Sequence, residues 1–352
     1  MVKDLSSYLM MPLRYFLLVA IVFFQSGITE WQAVAVAEDV EIRIALRAHR
    51  GVEKGMAQWQ ATADYLSKSI PGYRFVMVPF KQNAMLNQEV SQGGFHFVLT
   101  NPAASVEHAV RYHAKQIATL VNKRQGKGYM QFGSVIFTRA DRDDINALHD
   151  LRGKVFMGAD DIGFGGWRVA WLELLKNNID PFRDFREVRF AGGIQQKVVF
   201  AVRDGKVDAG SVRTDMLERM AAKNEIKLEN FKVLGLKYNK SFPFLLSTPL
   251  YPEWAFSITT SASNELGVKV LHALQSIPVD STAAKNGNYI GWIKALDYTP
   301  VKGLLKELAV GPYQRSSHTL LIDVLVRYWL HIILLLLSVM ALTAWLVLKL
   351  KK

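Results

Sequence analysis

The chain has 352 residues, 50% of them hydrophobic and 21% charged, which is the composition of a folded protein with a sizeable core. Its formal net charge is +12, but Lys and Arg are scattered, with no dense basic block and no basic stripe interleaved with aromatic residues. This pattern argues against nucleic acid as a partner. Cysteine is absent, which excludes disulfide bonds, thiolate metal sites and cysteine nucleophiles.

The N-terminal segment has the pattern of an export signal. Lys3 and Arg14 accompany an apolar stretch over residues 13–24, and A-x-A cleavage sites follow within residues 33–37. We therefore predict that residues 1–37 are a secretory signal peptide, with an uncleaved signal anchor as the alternative. In either case the body from about Glu38 is exported.

The exported body alternates between strand and helix patterns. Apolar and polar residues alternate over residues 40–46, which predicts a strand. Further strands are predicted in the first half at 73–78, 95–99, 116–121 and 133–138, and in the second half at 154–157, 187–190, 208–212 and 231–236. Helical segments separate most of them, and such alternation is typical of parallel sheets covered by helices.

This order predicts an α/β domain of two lobes over residues 38–315. The first lobe is assigned residues 38–140 plus 241–315, and the second lobe residues 141–240. The chain is expected to cross between them near 141–150 and near 237–243. Two lobes joined in this way form a cleft, and ligands of such sheets bind beyond the carboxyl ends of the strands.

A second apolar segment follows the body. Residues 328–348 form a run long enough to cross a bilayer core, and the tail 349–352 contains three lysines. We predict a transmembrane helix at 328–348 and a short cytoplasmic tail at 349–352, in the orientation that the positive-inside rule requires. The main domain is then periplasmic, anchored in the inner (cytoplasmic) membrane, with no room for a cytoplasmic catalytic domain.

A glycine-rich segment, Gly158–Trp167, is the strongest local signal of a binding site. It follows a predicted strand and begins a helix, so the amides of Gly165 and Gly166 are candidates for holding an anion. It matches neither the G-x-G-x-x-G spacing nor a P-loop. The alternative is a plain Gly-rich turn. Trp167 and Trp254 could line the cleft, although aromatic residues are more often part of a core.

Polar residues also follow three other predicted strands. Asn101 follows 95–99 and either caps a helix, contacts a ligand or does both. Arg47, with His49 and Arg50, follows the first strand, and Arg213 follows 208–212. An Arg at a strand's carboxyl end can hold an oxyanion through two parallel hydrogen bonds. The alternative for Arg213 is a salt bridge at the surface or between the lobes.

Nothing in the sequence indicates catalysis. His108 and His113 are five residues apart and do not share a helix face. No H-E-x-x-H, no G-x-S-x-G and no cluster of metal ligands is present. We therefore expect no catalytic residues, no metal and no cofactor.

Several motifs carry a resemblance to known families. Residues 150–154, 178–181 and 204–210 resemble the phosphate/phosphonate-binding periplasmic proteins of ABC importers. Residues 97–102, 164–167, 212–220 and 250–254 look like the input domains of tetrathionate-type sensor histidine kinases. The resemblance covers about residues 42–313 and implies a type II periplasmic binding protein fold that binds a small anion.

Three departures accompany the resemblance. Relatives usually carry a hydroxyl residue where this chain has Gly163, and often a His within the stretch corresponding to 193–196, where we take Gln195 as a ligand-binding residue. The sensor kinases also continue into a kinase part that this sequence lacks. The expected function is a membrane-anchored sensor domain for a small anion, such as the sulfur oxyanion tetrathionate, that signals to a separate histidine kinase. The alternatives are a tethered substrate-binding protein for an ABC permease and a truncated sensor kinase.

Overall fold

A computed structural model describes residues 38–48, 50–314 and 317–350 of the chain, with backbone alone for 317–325, 332, 347 and 348. The predicted signal segment at 1–37 lies outside the described residues, as do His49 and the last two residues of the predicted tail.

Strands and helices alternate along the described chain, as the sequence pattern predicts. The strands are β1 (Val40–Arg47), β2 (Tyr73–Phe80), β3 (Phe97–Thr100), β4 (Lys115–Arg124), β5 (Lys127–Tyr129), β6 (Gln131–Phe132), β7 (Ser134–Arg139), β8 (Val155–Gly158), β9 (Glu187–Phe190), β10 (Ala209–Arg213), β11 (Phe231–Leu234), β12 (Tyr251–Pro252), β13 (Ala255–Ile258) and β14 (Tyr289–Lys294). The helices are α1 (Val52–Ser69), α2 (Asn83–Ser91), α3 (Pro102–Tyr112), α4 (Val169–Lys176), α5 (Pro181–Asp184), α6 (Gln195–Arg203), α7 (Met216–Ala222), α8 (Asn264–Gln275), α9 (Thr282–Gly287), α10 (Thr299–Glu307) and α11 (Ser317–Leu350).

The first lobe is built on a mixed sheet in the order β14-β4-β13-β3-β1-β2, with β5 paired to β4. β1 lies parallel to both β2 and β3, and β13 runs antiparallel between β3 and β4. The alternation in β1 buries Ile42, Ile44 and Leu46 against the apolar stripe of α1, which includes Trp59 and Leu66. Burial of this stripe stabilises the helix on the sheet. β13 and β14 come late in the chain yet lie in this first sheet.

The second lobe is built on a sheet in the order β11-β7-β10-β8-β9. β8 pairs in parallel with β9 and β10, and β7 pairs antiparallel with β10 and β11. The predicted boundary at residue 140 is therefore wrong, because β7 belongs to the second sheet. The sequence shows that 134–138 is an apolar strand but not which sheet it joins.

The chain passes between the sheets through a short antiparallel ribbon of β6 and β12. β6 leads from β5 into β7, and β12 leads back into β13. The predicted return near 237–243 is too early, because Ser247 still packs on the second lobe. Its amide donates to Ser134 O at 2.9 Å, and its Oγ donates to Leu234 O at 2.8 Å. We call the β6–β12 pair the hinge ribbon.

Beside the hinge ribbon, the two lobes share an apolar core. Phe164 and Leu172 from the second lobe pack in one cluster with Val301 and Leu305 of α10 from the first lobe, and the cluster also includes Phe132 of the ribbon. Burial of apolar surface here holds the lobes together on the hinge side.

The last helix, α11, contains one candidate membrane span. Val326–Leu346 has 21 residues and a mean hydropathy of 2.2, so it is long and apolar enough to cross a bilayer. The segment predicted from the sequence, 328–348, overlaps it almost entirely.

Candidate functional site

A cleft of about 730 Å³ opens between the two lobes. Its walls are the carboxyl ends of β1, β3, β8 and β10, with the starts of α3 and α6 and the segment 286–288. Six of the seven site residues predicted from the sequence line this cleft: Arg47, Asn101, Gly165, Gly166, Gln195 and Arg213. The strand ends that the sequence singled out therefore meet at one cleft between the lobes.

Trp167 does not line the cleft, which corrects the prediction. Its side chain is 1% exposed and packs inside the second lobe, with ring centroids 6.0 Å from Phe156 and 5.9 Å from Trp171. Trp254, in contrast, does line the cleft and stacks on Trp59 at 6.4 Å between ring centroids. The first lobe thus contributes Trp59 and Trp254 to the cleft wall, and Phe164 is the aromatic residue that the glycine-rich segment contributes.

Asn101 caps a helix and also lines the cleft. It precedes α3 with extended backbone angles, and its Oδ1 accepts a hydrogen bond from the amide of Ala104 at 3.2 Å. Pro102 occupies the first helical turn, where it costs no hydrogen bond. Because the cap uses Oδ1, the Nδ2 group remains to face a ligand.

Arg47 enters the cleft at the end of β1 and has no carboxylate at hydrogen-bond distance among the described residues. Its guanidinium donates to the Oδ1 of Asn83 and to the backbone carbonyl of Lys81, and both acceptors are neutral. Burial lowers the pKa of Arg47, and the Asp160 carboxylate acts in the opposite direction. The charge is therefore positioned by neutral groups and available to an anion.

Arg50 and Lys54 add two exposed cations to the same wall. Although the Arg50 side chain is exposed, the surrounding protein partly desolvates it and lowers its pKa; the charges of Arg219 and Arg213 lower the pKa further, whereas Asp215 raises it. The guanidinium groups of Arg50, Arg213 and Arg219 repel one another, and a bound anion would reduce this repulsion. The position of Arg50 after the first strand was noted from the sequence, whereas nothing in the pattern distinguished Lys54 at the start of α1.

The glycine-rich segment forms a π-helical turn, Phe164–Arg168, ahead of α4. A Cβ on Gly165 would lie 2.5 Å from Cε2 of Phe132, and one on Gly166 would lie 2.6 Å from Cβ of Ala159. Both glycines are therefore required by packing. The turn also starts a helix, so its first amides have no acceptor within the helix. Such a helix start favours negative charge, and π-helical turns are frequent at functional sites.

Arg213 lies at the cleft in a buried network of charges. Its guanidinium donates to both carboxylate oxygens of Glu253, its Nε is 3.5 Å from Oδ1 of Asp215, and it stacks over the ring of Phe132 at 4.1 Å. Burial alone would lower the pKa of Arg213, but the two carboxylates outweigh it and the pKa is raised. The ion pair considered as the alternative for Arg213 is therefore present, and the side chain also lines the cleft.

Two further arginines converge on Asp215. The Oδ2 of Asp215 is 2.6 Å from Nε of Arg124 and 2.7 Å from Nε of Arg219, and Asp215 is only 2% exposed. Burial, with the charge of Arg213 as the next contribution, lowers the pKa of Arg124 to about 10. The three guanidinium groups of Arg124, Arg213 and Arg219 outnumber the carboxylates of Asp215 and Glu253, so the network leaves a positive excess at the cleft.

Gln195 and Asp160 complete the second lobe's wall. The Oε1 of Gln195 accepts a hydrogen bond from the amide of Arg213 at 2.7 Å, so this side chain is tied to the strand end. Asp160 lies directly after β8, and its Oδ1 accepts from the amide of Ile162 at 3.0 Å. Asp160 was not selected from the sequence, because a carboxylate is unexpected in a site for anions.

The two α/β lobes, the hinge ribbon and the cationic cleft between them define a two-lobed periplasmic binding protein. The family model for the phosphonate periplasmic substrate-binding proteins of ABC transporters matches residues 47–299. The chain belongs to this family.

One curated relative is the tetrathionate sensor histidine kinase of Salmonella typhimurium, 33% identical over 273 residues. The match covers 77% of this chain but 44% of that protein, so the chain spans less than half of the relative's length.

Solved structures share the fold. The binding protein component of a phosphonate ABC transporter from Pseudomonas aeruginosa has a TM-score of 0.58 at 17% identity, covering 76% of this chain and 86% of that one. A Prochlorococcus marinus protein in complex with methylphosphonate has a TM-score of 0.58 at 14% identity, covering 76% and 98%.

Proposed function

We propose that this protein is a membrane-anchored periplasmic sensor domain that binds a small anion in its interlobe cleft and signals to a separate cytoplasmic histidine kinase. The cleft would close about the hinge ribbon, and α11 would anchor the domain in the inner membrane. A ligand can drive such a change only if it binds the closed state better than the open one.

The observation that carries the proposal is the positive excess in the cleft. Arg47 and Arg50 carry charges without carboxylate partners at hydrogen-bond distance among the described residues. The Asn101 amide and the start of the π-helical turn supply neutral donors on the facing walls. Fixed donors of this kind bind oxyanions.

The sensor relative makes tetrathionate the first ligand to test, and the solved relative with methylphosphonate makes alkylphosphonates the second. The full chain in detergent would be titrated by calorimetry with tetrathionate, thiosulfate, sulfate, methylphosphonate and phosphite. Replacement of Arg50 by Gln should weaken binding of the preferred anion by about tenfold to a hundredfold, because a charge-assisted hydrogen bond contributes about 1.5–3 kcal/mol.

Lys123→Gln is the matched control, because Lys123 is an exposed cation beside the cleft residues Asn122 and Arg124 but does not line the cleft itself. Equal affinities for the Arg50 and Lys123 variants would contradict the site. Arg213→Ala, the variant suggested by the sequence, is less informative, since it would also leave Glu253 buried without its cation.

Family membership favours a second function, substrate delivery to an ABC permease, because the matched family and the solved relatives include transporter components. Genes for a permease and an ATPase next to this one would support transport. A neighbouring kinase and response regulator would support sensing.

A further inference from the structure

The cleft contains a carboxylate where the proposed ligand is an anion. Asp160 lines the cleft and is half-buried there, and its Oδ1 is occupied by the amide of Ile162. Within the part of the chain that the structure describes, Asp160 has no ion-pair partner at salt-bridge distance. Its second oxygen, Oδ2, is near Gly193, at 3.4 Å from where a Cβ on that glycine would lie.

Three charged groups act on this carboxylate. Asp161 is on the same turn and repels it, Arg47 faces it from β1 in the other lobe, and Arg168 in the π-helical turn is also within electrostatic reach. Burial raises the pKa of Asp160 and Asp161 raises it further, whereas the hydrogen bond from the Ile162 amide lowers it, and the net direction is upward. Arg47 opposes this, but an anion that binds to Arg47 would neutralise the opposing charge.

An ionised Asp160 and a fully ionised ligand in one closed cleft would repel each other strongly, because water would no longer screen them. A single proton between the two changes this repulsion into a charge-assisted hydrogen bond. Building on the proposed function, we infer that the occupied cleft holds one proton between Asp160 and the bound anion. A hydrogen oxyanion brings this proton with it, and a fully ionised oxyanion takes it from solvent onto the Asp160 carboxyl.

Asp160 is therefore a residue that determines specificity. It favours anions that carry a hydrogen-bond donor, and it makes binding of donor-free anions depend on pH. The affinity for tetrathionate or sulfate should fall as pH rises, by up to about tenfold per pH unit, since one proton is bound together with each anion.

The test is calorimetric titration of the full chain in detergent at mildly acidic pH, in two buffers that differ in ionisation enthalpy. The difference in measured heat gives the number of protons taken up. Tetrathionate and sulfate should take up about one proton per site. Methylphosphonate, which keeps its second proton at this pH, should take up almost none.

Asp160→Asn should abolish the proton uptake and improve the affinity for sulfate relative to methylphosphonate. Asp143→Asn is the control, because Asp143 is an exposed carboxylate of the same lobe that neither lines the cleft nor acts on Asp160. Its proton uptake should match that of the wild type.

The wild-type measurement decides the question even if a variant folds poorly. Binding of tetrathionate or sulfate without proton uptake would overturn the inference and leave the proposed function standing. Proton uptake that persists in the Asp160→Asn variant would have the same two consequences. Persistent uptake is the result expected if Asp160 only stabilises the backbone turn that contains it. Failure of every anion to bind would overturn both.

Discussion

Glu253 offers the sharpest test of the charge network that joins the lobes. This residue is fully buried, and its carboxylate accepts from Arg213 and from Nδ2 of Asn122 at 3.0 Å. Gln at this position keeps the shape and one acceptor but removes the charge. Arg213 would then retain only Asp215, whose Oδ1 is 3.5 Å away, as a charged partner in the network.

Breaking a buried ion pair by removing one partner costs about 3–5 kcal/mol, because the other charge is left uncompensated. A domain of this size loses about 2 °C in Tm per kcal/mol. Glu253→Gln should therefore lower the Tm of the full chain by about 6–10 °C. The measurement is thermal unfolding in detergent, followed by intrinsic fluorescence.

Glu265→Gln is the matched control. Glu265 pairs with Lys269 one turn along α8 at 2.7 Å, but both side chains are largely exposed. Its substitution should leave Tm unchanged within error, because exposed pairs are screened by solvent. If the Glu253 and Glu265 variants melted at the same temperature, the buried network would not stabilise the lobes as argued here.

Further variants test packing and pH dependence. Gly165→Ala should destabilise the fold and weaken anion binding, because the new Cβ would clash with Phe132 of the hinge ribbon. Gly303→Ala in α10 is the control, because no atom lies near the new Cβ, and it should raise Tm slightly. Burial lowers the pKa of His108 to about 4. Below about pH 6.5 the unfolded chain binds a proton at His108, whereas the folded chain binds it only below about pH 4. The free energy of unfolding therefore falls by roughly 3 kcal/mol in total between about pH 6.5 and 4. Thermal melts across this range should show a shallower loss for His108→Gln, which can keep a hydrogen bond to Asn87. Equal slopes would contradict the assignment.

The local sequence pattern predicted most of the strands and helices, and it indicated the carboxyl ends of the strands as the place of the candidate site. Alternation in β1 and the apolar run of β8 identify strands without knowledge of the fold. Asn101 and Arg47 were found because parallel strands end at one edge of a sheet. The order of strands and helices predicted the two lobes, and the family resemblance supplied Gln195.

Long-range proximity accounts for what the sequence could not predict. Arg124 and Asp215 are 91 positions apart in the chain yet 2.6 Å apart in space, so no spacing rule could pair them. The sheet that β7 joins depends on its pairing with β10 and β11, which are equally remote. Trp167 was misplaced because a π-helical turn changes which side chains face the cleft and which face the core.

The most direct test of the account is a distance measured across the cleft. Because the chain has no native cysteine, Glu53→Cys on α1 and Lys197→Cys on α6 can be spin-labelled specifically; both residues are exposed and neither lines the cleft. Pulsed EPR on the full chain should show a shorter distance between the labels when the anion that binds in calorimetry is added, and no change with chloride. An unchanged distance at saturating anion would contradict a cleft that closes on its ligand.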